Sequence, residues 1–232
     1  MALLLSDCRV EFGSNRSQED WDPAPYQAEV EEGLGAALAI LIDTSGSMQD
    51  AAPGDGRPKH QVALQAIREM FAATDAFVAR RPDFPVRVAI YHFASDAWPV
   101  LPMQTYSRPV VEQALSRIPG PGGGTAIGRA LLAGRPELYR AGTFRKYLLV
   151  VTDGENTSGQ DPERVARHIY GKSEGAVQIY FVAFDTSPEK FAFLKEVGGD
   201  VLSAANGSEL DQALAEIYQG KILAEEVDVG EK

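Results

Sequence analysis

The chain has 232 residues, 44% of them apolar and 24% charged, with a formal net charge of −11 and one cysteine. That is enough apolar chain to bury one large core or two small ones, in a composition ordinary for a soluble globular protein. The acidic balance excludes nucleic acid as the main partner, because phosphate contacts need clustered Lys and Arg, and the longest basic run is Arg80-Arg81.

The acidity belongs mostly to the two ends. Residues 1–35 carry eight acidic side chains against two basic ones, and residues 221–232 carry four against two. We therefore expect an acidic N-terminal arm or peripheral strand over 1–34, one domain over 35–220, and an acidic tail over 221–232. The lone Cys8 excludes an intramolecular disulfide and points to a reducing compartment. Met1-Ala2-Leu3-Leu4-Leu5 is too short for a signal peptide and has no basic residue before it. Asp7 spoils the faint lipoprotein site Leu5-Ser6-Asp7-Cys8, so a cytoplasmic location is expected. No apolar run approaches ~18 residues, so no membrane span is expected.

In chain order, short aliphatic runs at 36–42, 86–93, 146–152, 177–184 and 200–203 predict strands. The spacing of Val62, Ile67, Met70, Phe71 and Phe77 predicts a helix over about 58–80, ended by Pro82. Residues 97–102 predict a hairpin partner to 86–93, and hence one antiparallel edge strand. A short helix around Val110–Ile118 follows, then another from Ala126 to about Leu132 with Thr125 as its N-cap. Arg164–Ile169, Glu189–Val197 and Glu209–Ile217 predict three more helices, and Pro162 and Pro188 suit first turns. Strand alternating with helix predicts an α/β fold: a doubly wound, mostly parallel sheet with helices on both faces.

In such sheets ligands bind at the C-terminal ends of the strands, where the strand order reverses. Three segments there carry oxygen side chains. Ala37–Ile42 runs into Asp43-Thr44-Ser45-Gly46-Ser47. Gly122-Gly123-Gly124 leads into Thr125. Lys146–Val151 runs into Thr152-Asp153-Gly154. Each alone is ordinary turn composition; their order on these elements makes a candidate site. Asp43, Ser45, Ser47, Thr125 and Asp153 offer two carboxylates and three hydroxyls, hard ligands suited to Mg²⁺. An extended loop would point Asp43, Ser45 and Ser47 the same way, with Gly46 allowing a tight path between them.

On these residues the chain resembles a von Willebrand factor type A (VWA) domain with a metal-ion-dependent adhesion site (MIDAS). The resemblance covers about 35–220 and is most specific at Asp43-x-Ser45-x-Ser47. It implies that Ser45, Ser47 and, in one conformation, Thr125 bind the ion directly, while Asp43 and Asp153 act largely through water. It also implies an open position for an Asp or Glu of a partner protein, with Mg²⁺, Mn²⁺ or Ca²⁺ as the ion. With one cysteine and no signal, the chain looks more like a compact intracellular bacterial member than a secreted adhesion protein. The expected function is a non-enzymatic, metal-dependent protein-binding module.

The alternative is a Mg²⁺-dependent phosphoryl-transfer enzyme using the same strand-end carboxylates. Against it, Ser45 stands where a haloacid-type phosphatase needs its second Asp, no lysine obviously completes that set, and no Lys-Ser or Lys-Thr follows the glycines. His60, His92 and His168 lack metal-ligand spacing, and His92 reads as a buried or edge residue. Glu155 and Asn156 are candidates for the rim or for a solvated loop, and Asp185-Thr186-Ser187 stands equally open. Phe84, Trp98 and Tyr106 are better read as packing than as contact aromatics.

Overall fold

A computed structural model describes residues 21–224. The first twenty residues of the expected arm, Cys8 among them, and the last eight of the expected tail lie outside the described residues.

Six strands form one sheet: β1 (Gly33–Asp43), β2 (Val86–Phe93), β3 (Ala97–Thr105), β4 (Thr143–Thr152), β5 (Val177–Phe184) and β6 (Asp200–Ala204). Their spatial order is β3-β2-β1-β4-β5-β6. Every pairing is parallel except β2 with β3. The antiparallel edge is therefore where the hairpin reading put it, longer by three residues, with Pro99 and Pro102 on a strand where a missing N–H is tolerated.

The central strand shows why the fold is doubly wound. From Ala36 onward β1 is fully buried and continuously apolar up to Asp43, as a strand covered on both faces must be. Ala36, Leu38, Ile40 and Ile42 face a core shared with α1 (Lys59–Arg80), α2 (Arg108–Leu115) and α5 (Gly207–Ile217). Ala37, Ala39 and Leu41 face the other core, shared with α3 (Ile127–Arg140) and α4 (Pro162–Lys172). The two alanines on that face keep the surface shallow, and Gly134 of α3 packs directly over it. A Cβ at Gly134 would meet Leu41 Cδ2 at 2.8 Å and Ala39 Cβ at 3.5 Å.

Three expectations about helices change. α3 continues eight residues past Leu132 through Gly134 and Pro136, because its apolar face stays buried to Tyr139. Residues Pro188–Val197 form a 3₁₀ segment broken at Phe191 (φ −116°, ψ 18°), not an α-helix. The N-cap of α3 is Ala126, so Thr125 stands one residue outside the cap.

The described part of the arm lies on the α3–α4 face without forming a strand before Gly33. Arg135 of α3, fully buried, donates to the Pro25 carbonyl (2.7 Å), the Ala24 carbonyl (3.0 Å) and the Asp22 carboxylate. Asp22 also accepts from the Tyr26 hydroxyl at 2.6 Å and lies 3.2 Å from His168 Nε2. Tyr26 covers the guanidinium at 4.0 Å, and Trp21 packs on His168 with centroids 4.6 Å apart. The segment is clamped to its own domain.

Candidate metal site at the reversal of strand order

β1 is followed in sequence by β2 on one side, while β4 lies on its other side, so the strand order reverses between β1 and β4. Asp43 closes β1, and Asp153 follows the last residue of β4. The parallel register brings these ends level, with Ile42 paired to Val151. Thr152 donates its hydroxyl to Asp43 Oδ2 at 2.5 Å. Sequence order and sheet topology thus put both carboxylates in one crevice.

Local hydrogen bonds fix each loop. The Ser45 N–H donates to Asp43 Oδ1 at 2.7 Å, a turn in which the aspartate side chain imitates a backbone carbonyl. Ser45 itself is extended (φ −66°, ψ 169°), and Gly46–Gln49 then tightens into a single 3₁₀ turn anchored by buried Met48. The fully extended path expected for Asp43–Ser47 therefore holds only as far as Ser45. The turn still brings Ser47 Oγ to 3.2 Å from Ser45 Oγ and lets it donate to Asp153 Oδ1 at 2.7 Å.

The glycine loop is sewn to the same place. Gly122 N–H donates to the Thr44 carbonyl (2.8 Å) and Gly46 N–H to the Gly123 carbonyl (3.1 Å). Gly123 has φ +82°, and a Cβ there would come within 2.9 Å of Ser95 Oγ, so the path needs glycine. Thr125 is fastened through its backbone: its N–H donates to Thr157 Oγ1 (2.8 Å), and its carbonyl accepts from the Thr157 N–H (2.8 Å). Since it caps nothing, its hydroxyl is not committed to the helix. A Cβ added at Gly154 would lie 3.8 Å from Thr125 Oγ1 and 3.9 Å from Ser47 Oγ, so both hydroxyls face the same turn after β4. At Gly128, in the first turn of α3, a Cβ would meet the Gln160 carbonyl at 2.2 Å, which seats the helix start hard against the loop beyond Asp153.

All five expected residues therefore converge. Asp43, Ser45, Thr125 and Asp153 are buried, whereas Ser47 is exposed at the mouth. Burial pushes the Asp43 carboxyl up from 3.8 to about 6; hydrogen bonds from Thr152 and Ser45 oppose the shift, and nearby Asp153 adds to it. Asp43 is thus a carboxylate kept out of water with too little positive charge beside it.

One residue was missed. Lys59, the first residue of α1, is buried and bridges Asp153 Oδ2 (3.0 Å) and Asp185 Oδ2 (2.8 Å). Burial works against its charge, but hydrogen bonds and attraction from Asp185 and Asp153 outweigh that, and its pKa stands above the usual lysine value. The sequence shows no lysine that obviously completes a phosphatase-type set, and the fold brings Lys59 to this edge. Only the Pro58-Lys59 start of an apolar helix could have hinted at it, and 94 residues separate Lys59 from Asp153.

The secondary candidates sort as follows. Asp185 joins the edge through Lys59, with a left-handed backbone (φ 51°). Glu155 is exposed and pairs with Lys190 at 3.1 Å. His92 lies on the inner strand β2, accepts or donates to the Thr44 hydroxyl at 3.1 Å, and stacks on exposed Trp98 with centroids 5.1 Å apart. Phe84 is buried, and Tyr106 stacks on Phe71. Among the described residues no three His, Cys, Asp or Glu side chains gather as a metal cluster, so this edge depends on its hydroxyls. No helix among them is long and apolar enough to cross a membrane.

The sequence profile of the von Willebrand factor type A domain matches residues 37–217. The chain belongs to that family. Solved structures agree on the fold. A PilB minor pilin variant from Streptococcus sanguinis superposes with TM-score 0.67 at 13% identity, covering 84% of this chain and 63% of the pilin. BatB from Bacteroides thetaiotaomicron gives TM-score 0.63 at 20% identity, covering 81% of this chain and 98% of BatB. Proximal thread matrix protein 1 from the mussel byssus, a structure with a zinc-occupied MIDAS motif, gives 0.62 at 21% identity, covering 82% of this chain and 46% of that protein. The chain thus spans less than two thirds of the pilin and about half of the byssus protein. No curated protein sequence matches it significantly. VWA domains are typically metal-dependent adhesion or protein-binding modules and are generally not catalytic.

Proposed function

We propose that this VWA domain binds a partner protein through a divalent cation held at the β1–β4 crevice. Ser45, Ser47 and Thr125 supply direct oxygen ligands, Asp43 and Asp153 act largely through water, and an Asp or Glu of the partner completes the shell. The observation that carries this reading is the Ser47–Asp153 hydrogen bond, which joins two hard-oxygen loops 106 residues apart beside a buried, under-neutralised Asp43. Such a hard-oxygen donor set fits Mg²⁺, with Mn²⁺ and Ca²⁺ as alternatives. Neutral hydroxyls leave the ion's charge incompletely cancelled, which favours an incoming carboxylate.

The phosphoryl-transfer alternative gains a lysine in Lys59, but both of that lysine's contacts are to carboxylates, and Ser45 still stands where the second Asp would be needed. Calorimetric titration with Mg²⁺ and Mn²⁺ tests the site. Ser45→Ala and Asp153→Ala should each abolish ion binding while the circular dichroism spectrum stays native. Retained affinity in both variants would move the site elsewhere. Capture of an acidic partner by the wild type in Mg²⁺, but not in EDTA or by Asp153→Ala, would then establish the bridge.

A further inference from the structure

Asp153 has two carboxylate oxygens, and both are taken. Oδ1 accepts from Ser47, and Oδ2 accepts from Lys59. The lysine is held from several sides. Its backbone N–H donates to the Asp50 carbonyl at 2.9 Å, and an antiparallel bridge between Ala51 and Pro58 closes the loop before it. Its ammonium, with a side chain only 9% exposed, is shared with Asp185, which occupies a left-handed backbone conformation at the end of β5. A compact ammonium with three donors can satisfy two carboxylates at once, whereas a planar guanidinium would need more room. The result is a fixed positive charge one carboxylate away from the proposed ion.

We infer that Lys59 is a resident counter-cation that competes with the metal ion for Asp153 and thereby sets the ion affinity of the site. This rests on the metal reading above and names what regulates it. With Lys59 on Oδ2, Asp153 can turn only Oδ1 towards an ion, and Ser47 or a water stands between. The ammonium also repels a divalent ion across a partly desolvated edge, where charge interactions exceed their strength in water. Removing that charge frees a full carboxylate for the ion; moving it wholly onto Asp153 does the reverse.

The test is calorimetric titration of the full chain with Mn²⁺, alongside thermal melts with and without the ion. Lys59→Met should bind Mn²⁺ about 10- to 100-fold more tightly than wild type, and saturating Mn²⁺ should raise its melting temperature by more. If Lys59→Met does not fold, Asp185→Asn carries the test. It leaves the ammonium to Asp153 alone, and should weaken Mn²⁺ about three- to tenfold. Unchanged or weaker Mn²⁺ affinity in Lys59→Met, or unchanged affinity in Asp185→Asn, overturns the inference while leaving the site intact. Absence of Mn²⁺ binding in wild type and variant alike, or binding that survives both Ser45→Ala and Asp153→Ala, overturns the metal reading itself and the inference with it.

Discussion

The domain buries charge in two places, and it treats them differently. On the α3–α4 face, Arg135 and Asp22 are almost wholly out of water, yet the chain itself answers them with two backbone carbonyls, a tyrosine hydroxyl, a histidine and a ring face. At the end of β1 and β4, Asp43 and Asp153 are equally buried, but hydroxyls, the Ser45 backbone N–H and one shared lysine are what they receive. The first is a charge-balanced cluster that fastens the arm, although Arg135 Nε is buried without a hydrogen-bond partner. The second keeps a surplus of negative charge at a mouth where Ser47 is exposed, the feature on which the proposed ion site rests. Burial of charge alone therefore does not mark a site; incomplete cancellation at an accessible edge does.

The largest effect is expected from breaking the charge-balanced cluster. Arg135→Met should cost about 3–5 kcal/mol in urea unfolding, because it strands the Asp22 carboxylate. Ion affinity at the strand ends should not move. A loss below about 1 kcal/mol, with a change in the fluorescence of Trp21, would mean that the arm peels off and rehydrates Asp22; the clamp would then be an attachment of little consequence for the core.

Next comes the opposite experiment at the open edge, where removing a charge should help. Asp43 has its folded pKa raised, so the folded state holds a proton that the unfolded chain releases. Below about pH 4 the group costs nothing; as pH rises from 3.8 to about 6 the metal-free fold loses stability, by about 3 kcal/mol at most, and the cost remains at neutral pH. Asp43→Asn should therefore make the metal-free protein more stable than wild type above pH 6 and indistinguishable below pH 4, while abolishing ion binding. For the same reason wild-type Mg²⁺ affinity should fall as pH drops below 6. A destabilised Asn variant at pH 7 would show that the hydrogen bonds from Ser45 and Thr152 outweigh the buried charge.

How much of this was legible differs between the two regions. The site residues could be read because each sits directly after an apolar strand or glycine run, where local pattern and sheet topology agree. The strands were legible for the same reason: β1 and β4 are continuous apolar runs. The sequence reading takes α3 only to about Leu132, whereas the helix runs on through Gly134, which packs closely on β1, and Pro136. Thr125 reads as a cap in the sequence because a hydroxyl before a helix usually is one. Lys59 and the Arg135–Asp22 pair were invisible, since partners 94 and 113 residues apart leave no periodic trace. Long-range charge pairing is a property of the fold, and only coordinates display it.

The smallest expected effect tests whether the open edge extends towards β3. Trp98 is 43% exposed and stacks on His92, whose Nδ1 meets the Thr44 hydroxyl between Asp43 and Ser45. Burial holds His92 below the usual histidine pKa, so at neutral pH it meets Thr44 as an uncharged ring. Trp98→Ala should cost about 0.5–1.5 kcal/mol, the worth of an aromatic pair. It should leave the Mn²⁺ dissociation constant unchanged, because Thr44 is also tied to the Phe93 carbonyl through its N–H (2.7 Å) and its hydroxyl (3.0 Å). A several-fold change in ion affinity would instead show that the stack helps aim the Asp43–Ser47 loop, and the boundary between site and scaffold would move one strand outward.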